Sequence, residues 1–395
     1  MKVIRDIELM LIMFLLTACS SDGDSSEAQQ PPVLNIYVYT PDKPMVTRSD
    51  VGSVTPIDNI LSESLITSLQ IWVFDHSTGD LVAYYSPESV DNLNATTTGV
   101  TYQLSVSETF AQAAQTENKP HVDVYVLANA ASCGLTSYDE TTTRATLEDA
   151  LIDKNYFGLA TLTDKVPETG LPMSGVLRNV LIDGMSPVYR LLNQNVKLTR
   201  TVSKIRFVFC RETPAQDQTD VSVQIKSVKL NAGMIPLQEY LFLGSLEMEK
   251  PYPVYHVGNF GTNDAKEFLP VNSNHEVQTL TDIPKNDDPL LYVYQAQGAQ
   301  EYEDLIAEGV TKNELKQLGP FYLRESDKKL EGIIKYQKQG DDEKPATFEM
   351  DAAGDFSRNH TWIVYAYYSK SGLIAVKVVV KDWSETTKSH EVYNW

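Results

Sequence analysis

The chain has 395 residues and a formal net charge of −20 at pH 7. This charge argues against nucleic acids and anionic lipid surfaces as partners, because both would repel an acidic protein. Its three cysteines, Cys19, Cys133 and Cys210, are too far apart to form a disulfide framework or a zinc site.

The N-terminus has the layout of a bacterial lipoprotein signal peptide. Lys2 and Arg5 precede an apolar run at residues 9–16, which is too short to span a bilayer and is typical of a signal-peptide core. The run leads into Leu16-Thr17-Ala18-Cys19, which resembles the lipobox, where a signal peptidase cuts before a cysteine that carries diacylglycerol. We therefore expect a signal peptide over residues 1–18 and lipidation of Cys19.

Residues 20–30 are polar, acidic and rich in serine, so they cannot bury enough apolar surface to fold. We expect residues 19–32 to form a flexible tether. An acyl-glycerol anchor carries more than one chain, so it would hold the precursor stably on outer-membrane lipid while Cys19 stays attached.

Alternating apolar residues predict strands through the first half of the chain. At residues 33–39 the alternation places Leu34, Ile36 and Val38 on one face. A short helix is predicted at residues 146–152. Further strands are predicted at residues 69–75, 81–85, 101–106 and 122–127, the first two forming a hairpin.

A second set of alternating runs begins near residue 190. In the run at residues 196–209 the heavier apolar face switches near Ser203, which predicts a β-bulge. Other strands are predicted at residues 221–230, 289–294, 331–336, 361–368 and 373–381, with a short helix within residues 301–318.

Strands joined by short turns, without a regular alternation of strands and helices, predict an all-β fold with a few short helices. The expected architecture is two antiparallel β-sandwich domains. A typical domain size of about 150 residues supports two domains, which we expect at residues 33–188 and 189–395.

No catalytic constellation stands out. The six histidines are scattered, and none has a spacing that would bring metal ligands onto a common strand face. Nucleophile-elbow and phosphate-loop patterns are absent, and carboxylates in so acidic a chain are typical of a solvated surface. The sequence therefore predicts a protein that is not an enzyme and that needs no metal or cofactor.

Five phrases follow one another along the chain: Leu69-Gln70-Ile71-Trp72-Val73-Phe74-Asp75; Val124-Tyr125-Val126-Leu127-Ala128-Asn129-Ala130; Leu171-Pro172-Met173-Ser174-Gly175; Leu198-Thr199-Arg200 running into Ser203-Lys204-Ile205; and Arg358-Asn359-His360-Thr361-Trp362. In this order they resemble the fimbrillins and Mfa-like fimbrial subunits of Bacteroidota, over nearly the whole chain. The closing Val380-Lys381-Asp382-Trp383 and the final Trp395 resemble the tail of stalk-type subunits.

The resemblance implies a subunit of a type V pilus, built from lipoprotein precursors with two transthyretin-like β-sandwich domains. It implies that an arginine-specific protease cuts behind the first strand and removes both the lipid anchor and that strand. It also implies that a C-terminal strand of a neighbouring copy fills the groove. The expected function is that of a stalk-type structural subunit of a cell-surface fimbria that supports adhesion.

Arg48 fits this processing, since it is the only arginine between the lipobox and residue 144. It lies in a polar, proline-containing loop at residues 40–50, of the kind that proteases reach. We expect cleavage between Arg48 and Ser49, which would displace the predicted first strand with its three aliphatic side chains. The alternative is an ordinary loop arginine in an uncleaved anchor subunit.

The donor strand is expected after Asp382, in a tail that contains Val392, Tyr393 and Trp395. Residues 373–381 are expected to form a strand of their own domain. The alternative is that the whole tail is a fixed edge strand.

Charged residues within the resembling phrases are expected to have structural roles. Arg200 and Lys204 are expected at strand ends, and residues 358–360 in a turn or at the start of a strand.

Other classes of function remain open from the sequence. A tip or anchor subunit of the same pilus would share most of these features, and so would a surface glycan-binding lipoprotein. The expected partners are other copies of this chain, related pilus subunits, an arginine-specific protease, and host or bacterial surface ligands.

Overall fold

The computed structural model of the chain describes residues 30–40, 63–95, 99–158, 166–212, 223–231, 236, 238–242, 265–267, 278–279, 282–283, 316–326, 331–349, 358–368 and 374–382. Within these ranges the fold is almost entirely β, which confirms the predicted fold class. The helices are α1 (Asp91–Ala95), α2 (Glu108–Ala113), α3 (Arg144–Glu148) and a 3-10 helix at Ala130–Cys133.

Nine strands belong to the first half of the chain: β1 (Val33–Tyr39), β2 (Leu69–Asp75), β3 (Leu81–Tyr85), β4 (Val100–Ser105), β5 (His121–Ala128), β6 (Met173–Met185), β7 (Val188–Leu191), β8 (Val196–Lys197) and β9 (Thr199–Arg200). Ten belong to the second half: β10 (Val202–Glu212), β11 (Val223–Asn231), β12 (Ala265–Glu267), β13 (Gln278–Thr279), β14 (Asp282–Ile283), β15 (Lys316–Arg324), β16 (Glu331–Lys338), β17 (Lys344–Glu349), β18 (His360–Tyr368) and β19 (Ile374–Asp382).

The first nine strands form one continuous sheet in the order β3-β2-β5-β6-β7-β1-β4, with β8 paired to β1 and β9 to β6. The long strand β6 joins two halves of this sheet, because its first part pairs with β5 and its end pairs with β7. Asn179, at a φ of 56°, lies where the register of β6 against β5 shifts. Such a bulge bends a strand and increases its twist.

The two halves of this sheet pack face to face. Their shared core contains the inward side chains of β1 and β4 from one half and those of β2 and β5 from the other. The arrangement is a β-sandwich in which inward residues alternate with outward ones.

Most strand pairs are antiparallel, but several are parallel, and the expectation of purely antiparallel sheets is corrected on this point. Strand β1 runs parallel to β7 and β8, and β10 runs parallel to β18 and β14. Parallel neighbours need a long crossover connection. Here other strands provide it, since the chain passes through β2 to β6 before it returns beside β1 as β7.

The second half contains two five-stranded sheets. One has the order β14-β10-β18-β19 with β15 on β10, and the other the order β12-β11-β16-β17 with β13 on β11. The rings of Phe207 in β10 and Phe348 in β17 meet edge to face, with centroids 5.6 Å apart, so the two sheets contact each other. The bulge expected near Ser203 occurs slightly later, between Ile205 and Phe207.

The predicted helices differ from the structure in position. The helix expected at residues 146–152 begins at Arg144, because the Thr143 side chain accepts the amide hydrogen of Thr146 and caps it. Residues 316–318, expected to be within a helix, belong to β15. The strand predicted at residues 289–294 lies outside the described ranges.

The strands of the first sheet continue beyond the expected domain limit at residue 188, since β7, β8 and β9 all pair within it. We therefore propose a division close to Thr201. The halves also share a core: Trp72 and Tyr125, on the outer face of the first sheet, pack in one cluster with Phe242 and Tyr322. None of the described helices is long and apolar enough to cross a membrane.

Candidate assembly site

Strand β1 lies inside the first sheet, and its sequence explains why. Its aliphatic residues Leu34, Ile36 and Val38 alternate with Asn35 and Tyr37, so one face is apolar over the length of the strand. The three aliphatic side chains are fully buried, whereas the alternate residues are half-buried on the outer face. The chain therefore begins its fold with a core strand.

This strand pairs along both of its edges. On one side it is antiparallel to β4, from Val33 opposite Ser105 to Val38 opposite Val100. On the other side it is parallel to β7 and then to β8. Among the described residues, β4 and β8 pair with no other strand. Without β1, the sheet would therefore have a slot bordered by two unpaired edges.

Backbone hydrogen bonds fix both ends of β1. At the start, the Val33 amide donates to the Pro187 carbonyl oxygen over 2.8 Å. At the end, the Leu198 amide donates to the Tyr39 carbonyl oxygen, also over 2.8 Å. Gly99 has a φ of 132°, and a Cβ there would lie 2.6 Å from the Val38 carbonyl oxygen. Glycine is therefore required for β1 to lie this close to the chain before β4.

Among the described residues, Leu34, Ile36 and Val38 enter a core built from apolar side chains. Tyr102 of β4 lies opposite Ile36, and burial, together with nearby Tyr85, raises the pKa of Tyr102 to about 12. At the mouth of the slot, beside Val33, the turn between β6 and β7 exposes Met185 by 81% and Val188 by 44%. On the outer face of β1, Asn35 lies opposite Arg190 and Tyr39 lies opposite Lys197, so the apolar character belongs to the inner face of the strand.

Most of the other predicted site residues lie outside the described ranges. These are Cys19, Arg48, Ser49, Val392, Tyr393 and Trp395. Residues 373–381, predicted to be a strand of their own domain, correspond to β19 (Ile374–Asp382). This strand lies at the end of its sheet and pairs with β18, with Val378 opposite Val364.

Arg200 ends the strand β9 and Lys204 lies near the start of β10, which agrees with their expected positions at strand ends. Both side chains are buried. Lys204 forms an ion pair with the buried carboxylate of Glu63, in which the lysine Nζ lies 2.9 Å from Oε2. The hydroxyl of Tyr322 donates to the same carboxylate over 2.6 Å. Arg200 donates to the Glu63 carbonyl oxygen over 3.0 Å.

Residues 358–360 lie next to this buried cluster, since Asn359 accepts a hydrogen bond from Arg200 over 3.1 Å. Asn359 has a φ of 60°, as suits the expected turn. Arg358 is buried, bonds to the carboxylate of Glu325, and donates to the Leu241 carbonyl oxygen over 3.0 Å. A buried charge needs partners of this kind, and they come from distant parts of the sequence.

Residues 34–226 match the family model "Major fimbrial subunit protein (FimA)". No curated protein sequence matches the chain. Among solved structures, a candidate cell adhesion protein from Parabacteroides distasonis aligns at 15% identity with a TM-score of 0.49, over 90% of this chain and 98% of the other. The tip fimbrial protein Mfa3 of Porphyromonas gingivalis, in a form with a C-terminal truncation, aligns at 14% identity with a TM-score of 0.46, over 89% of this chain and 99% of the other. A fimbrilin (fimA) from P. gingivalis W83 aligns at 10% identity with a TM-score of 0.47, over 89% of this chain and 98% of the other.

The family assignment comes from the sequence match, which begins within β1 and continues into β11. The matched region therefore includes the first sheet except for Val33, all of β10 and the first part of β11. The matched region, residues 34–226, belongs to the family of major fimbrial subunit proteins (FimA), whose members are structural subunits of fimbriae at the cell surface.

Proposed function

We propose that this chain is a stalk-type fimbrial subunit that is exported as a lipoprotein, cut after Arg48 and polymerised by strand exchange. The observation that carries the proposal is the position of β1, which is buried within the first sheet between β4 on one side and β7 and β8 on the other, and which precedes Arg48 in the chain. One cut between Arg48 and Ser49 would separate this core strand, together with the Cys19 anchor, from everything that follows.

The energetics favour replacement of β1 over an empty slot. Burial of three aliphatic side chains contributes about 1.5–3 kcal/mol each, which gives about 5–9 kcal/mol for Leu34, Ile36 and Val38. Loss of the strand would also leave two rows of backbone groups without partners, and such edges recruit another strand. An extended segment of a second copy can restore both contributions. The joint would then be slow to dissociate.

The tail after Asp382 is the proposed donor, with Val392, Tyr393 and Trp395 as its apolar residues. In support, β19 already has a place in its own sheet beside β18, so the chain beyond its last residue is left to reach a neighbour. In the rival arrangement β19 itself is donated. Its sequence alternates Val376, Val378 and Val380, in the same pattern as β1.

Limited proteolysis of the purified lipid-free precursor tests the proposal. We expect a trypsin-like, arginine-specific protease in limiting amount to give a product that begins at Ser49, followed by ladders of polymers that resist mild denaturant. An Arg48→Ala variant is the matched control and should stay monomeric. A chain that lacks residues 384–395 should be cut normally but should not elongate.

The outcomes separate the alternatives. Subunits in isolated fimbriae that begin at Cys19 would exclude processing and indicate an anchor subunit. Normal polymers from the chain without residues 384–395 would exclude the tail as donor and favour β19. Binding of surface glycans by a chain that is never cut would indicate a glycan-binding lipoprotein instead.

A further inference from the structure

Residues 63–67 lead into β2 and belong to no strand, yet side chains from five separate elements hold them. Two of the five residues, Glu63 and Ile66, are fully buried. We call residues 63–67 the anchor segment. It follows residues 41–62, which include Arg48.

The start of the anchor segment is held by the second half of the chain and by β9. Lys204 of β10 donates to both carboxylate oxygens of Glu63, over 3.1 and 2.9 Å, and Tyr322 of β15 donates to one of them. Arg200 of β9 donates to the Glu63 carbonyl oxygen and, over 2.9 Å, to the Ser64 hydroxyl. Because this cluster is buried, water cannot replace any of these partners without cost.

Two asparagines hold the rest of the anchor segment. Asn94 accepts the Ile66 amide hydrogen over 3.0 Å and donates to the Ile66 carbonyl oxygen over 2.6 Å. Asn129 accepts the Thr67 amide hydrogen over 2.8 Å and donates to the Leu65 carbonyl oxygen over 2.9 Å. An asparagine side chain used in this way replaces the partner strand that the segment lacks.

Four polar residues of this arrangement come from the sequence phrases that resemble the family. Asn129, Arg200 and Lys204 contact the anchor segment directly, and Asn359 accepts a hydrogen bond from Arg200 over 3.1 Å. Other polar residues of the phrases bond elsewhere, as Arg358 does to Glu325 and Ser174 to the Leu241 carbonyl oxygen. The convergence of polar residues from three of the five phrases on one short stretch indicates a shared structural task.

We propose that the anchor segment fixes the point at which the retained chain becomes part of the fold, so that β1 can be cut away and replaced without any loosening beyond residue 62. The inference rests on the proposed processing at Arg48. Its physical basis is the source of the hydrogen bonds described above, which come from α1, β9, β10, β15 and the residue after β5. The anchor segment shares with β1 the apolar core that Ile66 enters. Removal of β1 leaves these hydrogen-bond partners in place.

Hydrogen exchange of the peptide that spans residues 63–68 tests this inference, in the intact chain and in the chain cut after Arg48 and freed of β1. We expect its exchange to change by less than about twofold on loss of β1, because the amides of Ile66 and Thr67 keep their acceptors. In an Asn129→Ala variant, exchange at Thr67 should rise about tenfold or more, because the amide loses its acceptor. Asn155→Ala, at an exposed asparagine, is the matched control and should change nothing.

A loss of protection at residues 63–68 when β1 leaves the wild-type chain would overturn the inference, as would unchanged exchange in Asn129→Ala. Should that variant fail to fold, the wild-type comparison decides alone. If no product begins at Ser49, the proposed processing fails, and an aspartate-specific protease that cuts before Asp50 or Asp58 supplies the cut chain. The two failures are therefore distinguishable.

Discussion

Strand β1 and the anchor segment are both short stretches of the first half of the chain, but they are held by opposite means. The contacts of β1 are backbone ladders on two sides and three aliphatic side chains in an apolar slot. The contacts of the anchor segment are an ion pair and side-chain amides placed for individual backbone atoms. One stretch is specified by pattern and the other by particular groups.

This difference decides which stretch another chain can replace. A ladder and an apolar slot accept any strand with suitable alternating side chains, because neither depends on a particular functional group. A buried carboxylate beside a buried lysine accepts only a chain that supplies the same charge. We infer that the fold combines a replaceable strand with a segment that must stay, on either side of the proposed cut.

The largest expected effect comes from a charge placed in the slot. Ile36→Asp should destabilise the intact chain by about 4 kcal/mol or more, because a fully buried side chain has no partner for a carboxyl group there. Urea unfolding measures the loss. Gln103→Asp, on the exposed face of neighbouring β4, is the control and should stay within about 0.5 kcal/mol of the wild type.

The same substitution also tests whether β1 is separable. After cleavage and removal of β1, the retained parts of the wild-type and Ile36→Asp chains are identical, so their unfolding midpoints should coincide. A defect that persisted in the retained part would mean that β1 had not left.

Loss of the cation from the anchor segment should have the next largest effect. Lys204→Met leaves the Glu63 carboxylate buried without its ion pair, which costs about 3–5 kcal/mol. Unlike the Ile36→Asp defect, this one should persist in the cut chain. Lys335→Met removes an ion pair to Glu343 in which the lysine side chain is 42% exposed, so it should cost less than about 1 kcal/mol. Equal costs for the two lysines would contradict the role given to Glu63.

The sequence predicts β1 fully but predicts the anchor segment hardly at all. Alternation within seven residues is local, and it locates β1 at the bounds that the structure shows. The partner of Lys204 is 141 positions away in the sequence. Nothing local marks Glu63 as a buried residue, so the buried ion pair between Lys204 and Glu63 is not predicted. Strand β6 is missed for a different reason: it changes partners at a bulge, and its burial therefore lacks a period of two.

Alanine substitutions at two glycines test the same difference between β1 and the anchor segment, with a smaller expected loss of stability. A Cβ at Gly99 would collide with the backbone of β1, and a Cβ at Gly170 would collide with Asn129 and the Leu65 carbonyl oxygen. Both glycines have positive φ, so alanine at either should cost about 1–3 kcal/mol in the intact chain. Thermal unfolding of the cut chain should show most of the Gly99→Ala penalty removed and the Gly170→Ala penalty unchanged. The reverse result would mean that the anchor segment leaves with β1.

The smallest expected effect concerns pH, and it arises at Glu239, where the two halves of the chain meet through a hydrogen bond from the Ile152 amide to the Glu239 carbonyl oxygen. Glu239 is fully buried, and burial raises its pKa well above the usual value, as does the neighbouring Glu325. The cations Arg358 and Arg324 oppose this rise without cancelling it.

The direction of this pH effect on stability follows from the number of protons that the folded and the unfolded chain bind. Above the ordinary glutamate pKa, the unfolded chain has released this proton while the folded chain still holds it. Stability should therefore fall as pH rises from that value through the raised pKa of Glu239. Glu239→Gln should flatten this fall in thermal midpoint above the ordinary glutamate pKa, because glutamine keeps the shape of the side chain and cannot ionise. Release of cut β1 should show no matching pH dependence, since Leu34, Ile36 and Val38 cannot ionise. A common pH profile for β1 release and global unfolding would mean that the slot and the region around Glu239 open together.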